Sequence, residues 1–460
     1  MWVGYATINI LPDDVLLYIF QLYYGLEDVD RLSWWHRMVH VCQRWRSVVF
    51  QSPKILDLRL VCGPGTRVEL TGIWPLLPII ISNMVGRPMP EDYNFGAAIT
   101  YPSRVREISL LHLTSSQLQC LASAMQVQFP ALIHLMLGFA VGLSAQAAPP
   151  DPLPDKFLDG SGPCVQSLEL HSIPFPALPK LLLSATSLVR LSLWNIPHSG
   201  YISPEVLVTG LAVLANLKSL IIEFESPLSF PEWESNPPPR PTRIVLPALT
   251  RLEFKGVSEY LEDLVARIDA PSLVSIWITF FHDLIFDIPQ LAQFMRRTTI
   301  FDDVKEAHVG FYHHGIQFES LPPTRTSDKK SRLRISCKKF DWQLASLTQV
   351  FPSFFPCIIM AEHLYIYGLR HSLSQWQSDI ENRQWVEFFR PFTSLKNLYL
   401  SKVVARRIAP ALLEIAGDAL QNIFLEELQS SGPIQEYIGK FVEARQLSGR
   451  PISISLWEKS

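Results

Sequence analysis

The stretch LTRLEF, Leu249–Phe254, places apolar residues at its first, fourth and sixth positions and polar or charged residues between them. Successive side chains of a strand point to opposite faces, so Leu252 and Phe254 directed into a core leave Glu253 and Lys255 on the other side. The same phrase returns as VQSLEL, LVRLSL, LKSLII, LVSIWI, LKNLYL and LQNIFL, and more loosely as VREISL, LIHLML, VKEAHV and AEHLYI. Its central apolar residues are Ile108, Leu135, Leu168, Leu191, Leu220, Leu252, Ile276, Ala307, Leu364, Leu398 and Ile423, with Leu333 a weak twelfth, and most successive gaps run from 23 to 34 residues.

A period of that length with one short strand per unit is similar to a leucine-rich repeat, in which no unit buries its apolar face until a neighbour stacks on it. Between the strands, SPEVLVTGLAVLA, EYLEDLVARI, DIENRQWVEFF and ARRIAPALLEIA carry apolar residues at helical spacing. Alternating strands and helices imply a parallel sheet. The expected fold is therefore α/β: an irregular solenoid from about Val105 to the end, with a curved parallel sheet and helices on its convex side. Several units lack the asparagine of a regular repeat, and the proline-rich stretches 141–163 and 226–247 read as loops. Alternation places Glu169, Trp194, Glu223, Glu253, Lys255, Trp277, His308, Arg334, Tyr365, Tyr367, Tyr399, Phe424 and Glu426 on the outward, concave face. An outward row of aromatic rings fits a protein-binding patch, because such rings dominate interface hot spots. It equally fits rings packed inside the chain beneath loops or a tail.

The first fifty residues follow another pattern. In LPDDVLLYIFQLYY, Val15, Leu16, Ile19, Phe20 and Tyr23 share one helix face, Pro12 opens the helix, and Asp13 and Asp14 sit at its positive end. SWWHRMVHVCQRWRSVVF reads as one second helix capped by Ser33, with Trp35, Met38, Val39, Cys42, Trp45 and Val49 on a stripe. ILDLRLVC then switches to period two, with Leu56, Leu58, Leu60 and Cys62 on one face. Three spans result: a helical domain over 1–53, a connecting strand and N-terminal cap over 54–104, and the repeat region over 105–460.

Leu11-Pro12 with its acidic pair, then Leu16, Ile19 and Phe20, then Val41-Cys42 with Trp45 and Arg46, resemble an F-box. INILPDDVLLYIF with WWHRMVHVCQRWRSVVFQSPKILDLRLVCGPGT looks like the F-box proteins abundant in mushroom-forming fungi. The resemblance implies a linker-facing surface of Leu11, Pro12, Leu16, Ile19, Phe20, Val41, Cys42 and Trp45. It implies as partners a Skp-type linker protein, a cullin ubiquitin ligase and a protein target of unknown identity held by the repeats. The connector GLEDVDRLSWWHRM is longer than in the most compact F-boxes. The other reading of these helices is a cap on the first strand of a non-ligase scaffold.

Little else in the chain suggests chemistry. A hydrophobic fraction of 48% excludes a largely disordered chain, and a net charge of −3 gives no field that draws the whole molecule to nucleic acid or to an anionic membrane. The six cysteines are widely spaced without a CxxC pair, so they read as reduced thiols of an intracellular, cytoplasmic or nuclear, protein. ALIHLMLGFAVGL contains His134 and falls short of the ~20 residues of a membrane span. No phosphate loop, nucleophile elbow or HExxH is present, CGPGT reads as a turn, and adjacent His313 and His314 point to opposite faces of any strand. The basic run Thr324–Lys339 reads as a solvated loop. Neither cofactor nor metal is expected, and the chain reads as an adaptor rather than an enzyme.

Overall fold

The computed structural model describes residues 10–24, 34–63, 77–83, 96–140, 150–227, 243–281, 288–298, 304–313, 315–321, 330–336, 340–354, 360–368, 382–414, 419–427 and 433–457. Gly25, most of the long connector, CGPGT beyond Gly63, the proline-rich 141–149 and 228–242, and His314 lie outside these residues. The chain forms two compact units, Met1–Leu188 and Val189–Ser460.

The first unit opens with helices α1 (Asp13–Tyr24), α2 (Trp34–Val39) and α3 (Gln43–Gln51). The single helix expected over 33–50 is thus two. Cys42 is extended, and its Sγ accepts the Trp45 N–H at 3.4 Å, so the thiol caps a new helix instead of continuing the old one. The Arg46 Nε donates to the Val39 carbonyl at 3.0 Å, which satisfies the end of α2. Strand β1 covers only Leu60–Cys62, shorter than ILDLRLVC suggests, although Leu56, Leu58, Leu60 and Cys62 are all buried. It continues through β2 (Ile79–Ser82), β3 (Val105–Leu113), β4 (His134–Phe139) and β5 (Ser167–His171), paired in parallel in that order. Cys62, Ile81, Ile108, Leu135 and Leu168 are mutual register partners and all are buried. Helices α4 (Gly96–Ile99), α5 (Ser115–Ala124) and α6 (Leu178–Leu182) connect the strands. Thr114 and Gln117 form a reciprocal capping box at α5. After β2, the buried Asn83 side chain accepts the Leu111 N–H at 2.9 Å and donates to the Leu111 carbonyl at 2.6 Å, tying one repeat to the next.

The second unit holds β6 (Arg190–Ile196), β7 (Ser219–Phe224), β8 (Ile244–Val245), β9 (Arg251–Gly256), β10 (Ile268–Asp269), β11 (Ser275–Phe280), β12 (Glu306–Tyr312), β13 (Gly315–Leu321), β14 (Lys330–Ser336), β15 (His363–Gly368), β16 (Asn397–Leu400), β17 (Asn422–Leu425) and β18 (Ser453–Leu456). Helices α7 (Pro204–Leu211), α8 (Ser258–Arg267), α9 (Pro289–Arg296), α10 (Phe340–Phe354), α11 (Asn382–Phe389), α12 (Lys402–Leu412) and α13 (Pro433–Leu447) alternate with them. The main sheet of this unit runs β6-β7-β9-β11-β14-β13-β12-β15-β16-β17-β18, and β8 pairs β10 separately. Leu191, Leu220, Leu252 and Ile276 are register partners across four strands, as are Ala307, Leu364, Leu398, Ile423 and Ile454 across five. Helix residues pack on this inward side: Tyr260 of α8 lies 4.8 Å from Phe224 and stacks on Phe254 at 5.8 Å. Glu262 of α8 accepts the Gln290 and Leu291 N–H groups at 2.8 and 2.7 Å, so one helix caps the next. The fold is mixed α/β, a mostly parallel stack of strand–helix repeats of the leucine-rich type.

One expectation is overturned at the centre. Ile276 does not neighbour Ala307; its partner is Ser331 of β14, inside the basic run read as a loop. The long gap from Ala307 to Leu364 contains β13, which runs antiparallel to both β12 and β14, so three strands enter the sheet in reversed spatial order. The inward Ile316 and Phe318 of β13 alternate without the repeat phrase, which conceals the strand. His313 directly follows Tyr312, the last residue of β12, and is not itself in a strand.

Gly315 pairs so closely with β14 that a Cβ there would overlap the Ile335 carbonyl oxygen, whereas a Cβ on Gly439 in α13 would meet nothing within 4 Å. Gly315→Ala is therefore expected to lower the melting temperature. Gly439→Ala is expected to raise stability by about 0.5–1 kcal/mol, the helix preference for alanine. Thermal and chemical unfolding of the two variants checks the pair.

Candidate protein-binding surfaces

In the first unit, α1 and α3 close a small core of their own. Phe20 and Trp45 meet edge to face at 4.8 Å, and Trp35 meets Phe50 at 5.8 Å. Arg44 on α3 donates to Asp13 at 3.0 Å through Nε and 2.6 Å through Nη2, and also to the Leu11 carbonyl, which fixes the start of α1. The Trp35 indole N–H reaches the Arg59 carbonyl at 3.0 Å, joining the helices to the chain just before β1.

This core divides the expected linker-facing set. Leu16 and Phe20 are 0% exposed, so they hold the helices together and are not presented to a partner. Leu11, Ile19, Cys42 and Trp45 are half-buried, and Pro12 and Val41 are exposed. The apolar face turned to solvent comprises Val15 (37% exposed), Tyr18 (61%) and Leu22 (56%), at spacings of three and four residues along α1, with Ile10 (67%) and Val41 (56%) beside the helix ends in sequence. Both sides of α1 carry apolar residues, and periodicity does not tell which stripe the chain covers itself.

In the second unit the outward positions form one row across the main sheet. Ser192, Ile221, Glu253, Trp277, Arg332, Glu319, His308, Tyr365, Tyr399, Phe424 and Ser455 are successive register partners. Of the candidate concave-face residues, Glu253, Trp277, His308, Tyr365, Tyr399 and Phe424 belong to this row. Glu223, Lys255 and Arg334 share the next row, with Thr279 between the last two, and Tyr367 lies opposite Gly310. Trp194 sits at a register shift between Leu193 and Ile196, where Asn195 adopts φ 51°.

Outward does not mean bare. Arg334 is exposed, Glu253 is buried in an ion pair with Arg251, and the remaining candidates are half-buried. The expected row of displayed rings is instead a stack: His308 on Tyr365 at 4.3 Å and 8°, Tyr365 on Tyr399 at 4.1 Å and 12°, Tyr399 on Phe424 at 4.5 Å and 8°. In-register strands about 4.8 Å apart bring one ring per strand to stacking distance, so each ring covers its neighbour's face. Trp277 takes a different partner, with the Arg332 guanidinium 4.5 Å and the Arg251 guanidinium 5.1 Å from its ring. Arg332 is also paired with Glu319. Burial raises the Glu223 pKa, Lys255 opposes that rise and Glu253 adds to it. The Tyr365 hydroxyl is pushed well up, first by burial and then by Tyr399 beside it.

Other groups on this face were not foreseen. His363, Asn397, Asn422 and Ser453 are register partners, and their side chains form a hydrogen-bonded ladder: Asn397 Nδ2 lies 3.3 Å from His363 Nδ1, Asn422 Nδ2 donates to Asn397 Oδ1 at 2.7 Å, and the Ser453 hydroxyl donates to Asn422 Oδ1 at 2.5 Å. The signal was available, since LKNLYL and LQNIFL hold asparagine at one repeat position. Trp457, just past β18, lies 5.9 Å from both Tyr365 and Tyr399. Glu426, expected to face outward, accepts the Lys402 N–H at 3.0 Å and so caps α12. Among the described residues, no group of three His, Cys, Asp or Glu is placed to hold a metal, and no helix is long and apolar enough to cross a membrane.

No protein-family model matches the chain, and no curated protein matches it. Among solved structures, it is similar to the leucine-rich repeat-containing protein LegL7 from Legionella pneumophila, at 14% identity over 79% of this chain and 96% of that one, with a TM-score of 0.29.

His308 supplies a pH test of the stack. Burial lowers its pKa, while Glu306 and Glu319 act in the opposite direction; its Nε2 lies 3.8 Å from Glu306, beyond hydrogen-bond distance. The unfolded chain therefore binds a proton at higher pH than the folded one. The stability from a neutral, stacked His308 is complete above the unfolded value of about 6.5 and is lost as pH falls from there toward the lower folded value. Between about pH 7.5 and pH 5, the wild type is expected to lose more stability than His308→Phe, as read from urea midpoints at each pH.

Proposed function

We propose that the chain is a substrate receptor of a Skp-cullin-F-box ubiquitin ligase, docking a Skp-type linker through its N-terminal helices and holding a protein target on the outward face of the second unit's sheet. The observation that carries this reading is the solvent-facing apolar stripe Val15, Tyr18 and Leu22, in the segment that resembles an F-box. Three large apolar side chains aligned on a short helix cost free energy in water unless another polypeptide covers them. The receptor supplies proximity and orientation for a transfer carried out elsewhere, and is itself no catalyst. The proline-opened helix, the Arg44–Asp13 pair and the Phe20–Trp45 contact give the stripe a rigid base, which lowers the ordering cost of binding.

A second reading, a repeat scaffold whose helices only cap the sheet, draws on Trp35 bound to the Arg59 carbonyl beside β1 and on the burial of Leu16 and Phe20. Copurification separates the two. A purified Skp-type linker is expected to be retained by the wild type and by Trp277→Ala, and lost at least tenfold, about 1.4 kcal/mol, with Tyr18→Asp combined with Leu22→Asp. Both substituted residues are exposed, so the melting temperature should hold. No retention by the wild type, or equal retention by the double variant, removes the receptor reading and leaves the scaffold.

A further inference from the structure

The ladder of rings on β12, β15, β16 and β17 is saturated within itself. Tyr365 is stacked by His308 on one face and by Tyr399 on the other, and Tyr399 by Tyr365 and Phe424. No face of either tyrosine remains for a partner; what they turn away from the sheet is ring edge. Aromatic edges carry positive partial charge and aromatic faces negative, so a row of edges recognises the face of another ring, and an indole presents the strongest.

The chain provides such a ring. Trp457 meets Tyr399 at 67° and Tyr365 at 55°, each with 5.9 Å between centroids, and with both faces of each tyrosine already stacked the indole lies against their edges. The register position beside Phe424 is Ser455, whose small side chain adds no rung and leaves the indole room to reach back over the ladder. The Trp457 backbone is held separately, its N–H donating to the Leu425 carbonyl at 2.7 Å. Rotation about its own side-chain torsions therefore carries the half-buried ring off the ladder while β18 stays paired.

On the reading that this face holds a partner, we propose that the edges of Tyr365 and Tyr399 form a docking site for the face of an aromatic side chain, tryptophan foremost, on the partner polypeptide. Trp457 occupies that site until the partner's ring displaces it. The chain's own indole is the occupant already seen, and it defines the chemistry of its competitor. Apparent affinity for any competing ring is reduced by the fraction of time Trp457 is in place.

Titration of the full chain with N-acetyltryptophanamide, followed by saturation-transfer NMR, tests this. Trp457→Ala is expected to bind the probe about tenfold more tightly than the wild type, as for a site Trp457 fills nine-tenths of the time. Adding Tyr399→Leu should abolish the gain. Trp457→Leu keeps apolar cover at the strand end and should give the same gain, so a loss of folding in the alanine variant leaves the question answerable. Equal binding by the wild type and both Trp457 variants, or binding by none, overturns the proposal. Retention of the Skp-type linker by the same preparations is read separately: intact retention with no gain defeats only the plug, and a gain without retention defeats only the receptor reading.

Discussion

The spacing of hydrogen-bonded strands governs both faces of the sheets in these units. Strands in parallel register repeat every 4.8 Å or so, and each repeat position becomes a column of like side chains at that spacing. On the inward side, columns such as Leu191–Leu220–Leu252–Ile276 make the core. On the outward side the same geometry converts scattered aromatic residues into a stack and scattered asparagines into a hydrogen-bonded ladder. Neither arrangement is a property of one repeat; each exists only because adjacent repeats agree in phase. A substitution in a column is therefore felt by two neighbours, one on each side.

How far the fold is legible in sequence follows from the same fact. The inward column was readable because leucine and isoleucine recur at it, and all the central residues from Ile108 to Ile423 are buried. β13 was not readable, because a strand antiparallel to its neighbours on both sides has no reason to carry the parallel repeat phrase; it needs only alternation, which GIQFESL supplies over too short a span to stand out. β18 was missed because SISL carries a single leucine, and Leu456 is 49% exposed in a strand paired on one side only. At the amino end, periodicity found the helices but not the break at Cys42, since a thiol acting as a helix cap leaves no mark in a hydrophobic pattern.

The candidate surfaces were legible to a lesser degree. Alternation identified which residues turn away from the core, but exposure depends on what stands next to them. Glu253 is outward yet buried, because Arg251 two residues earlier folds onto its carboxylate. Tyr367 lies opposite Gly310, where a Cβ would stand 2.8 Å from the Tyr312 and Tyr367 rings, so the glycine makes room for two tyrosines that sequence alone lists separately. The same limit applied at α1, where two apolar stripes competed for one core and the chain took Leu16 and Phe20.

These corrections change where binding energy can reside. A ring stacked on both faces has spent most of its dispersion contact inside the chain, so it contributes to a partner mainly through its edge and, for tyrosine, its hydroxyl. Trp277 differs: flanked by Arg251 and Arg332, it belongs to a network in which each guanidinium is also neutralised by a carboxylate, Glu253 or Glu319. That network is close to electrically balanced. Arg334, exposed on the next row with Gln317 and Thr279 as its register partners, has no such carboxylate opposite it. The outward face thus separates into a self-satisfied aromatic half over β12 and β15–β17 and a cation-bearing half over β9, β11 and β14.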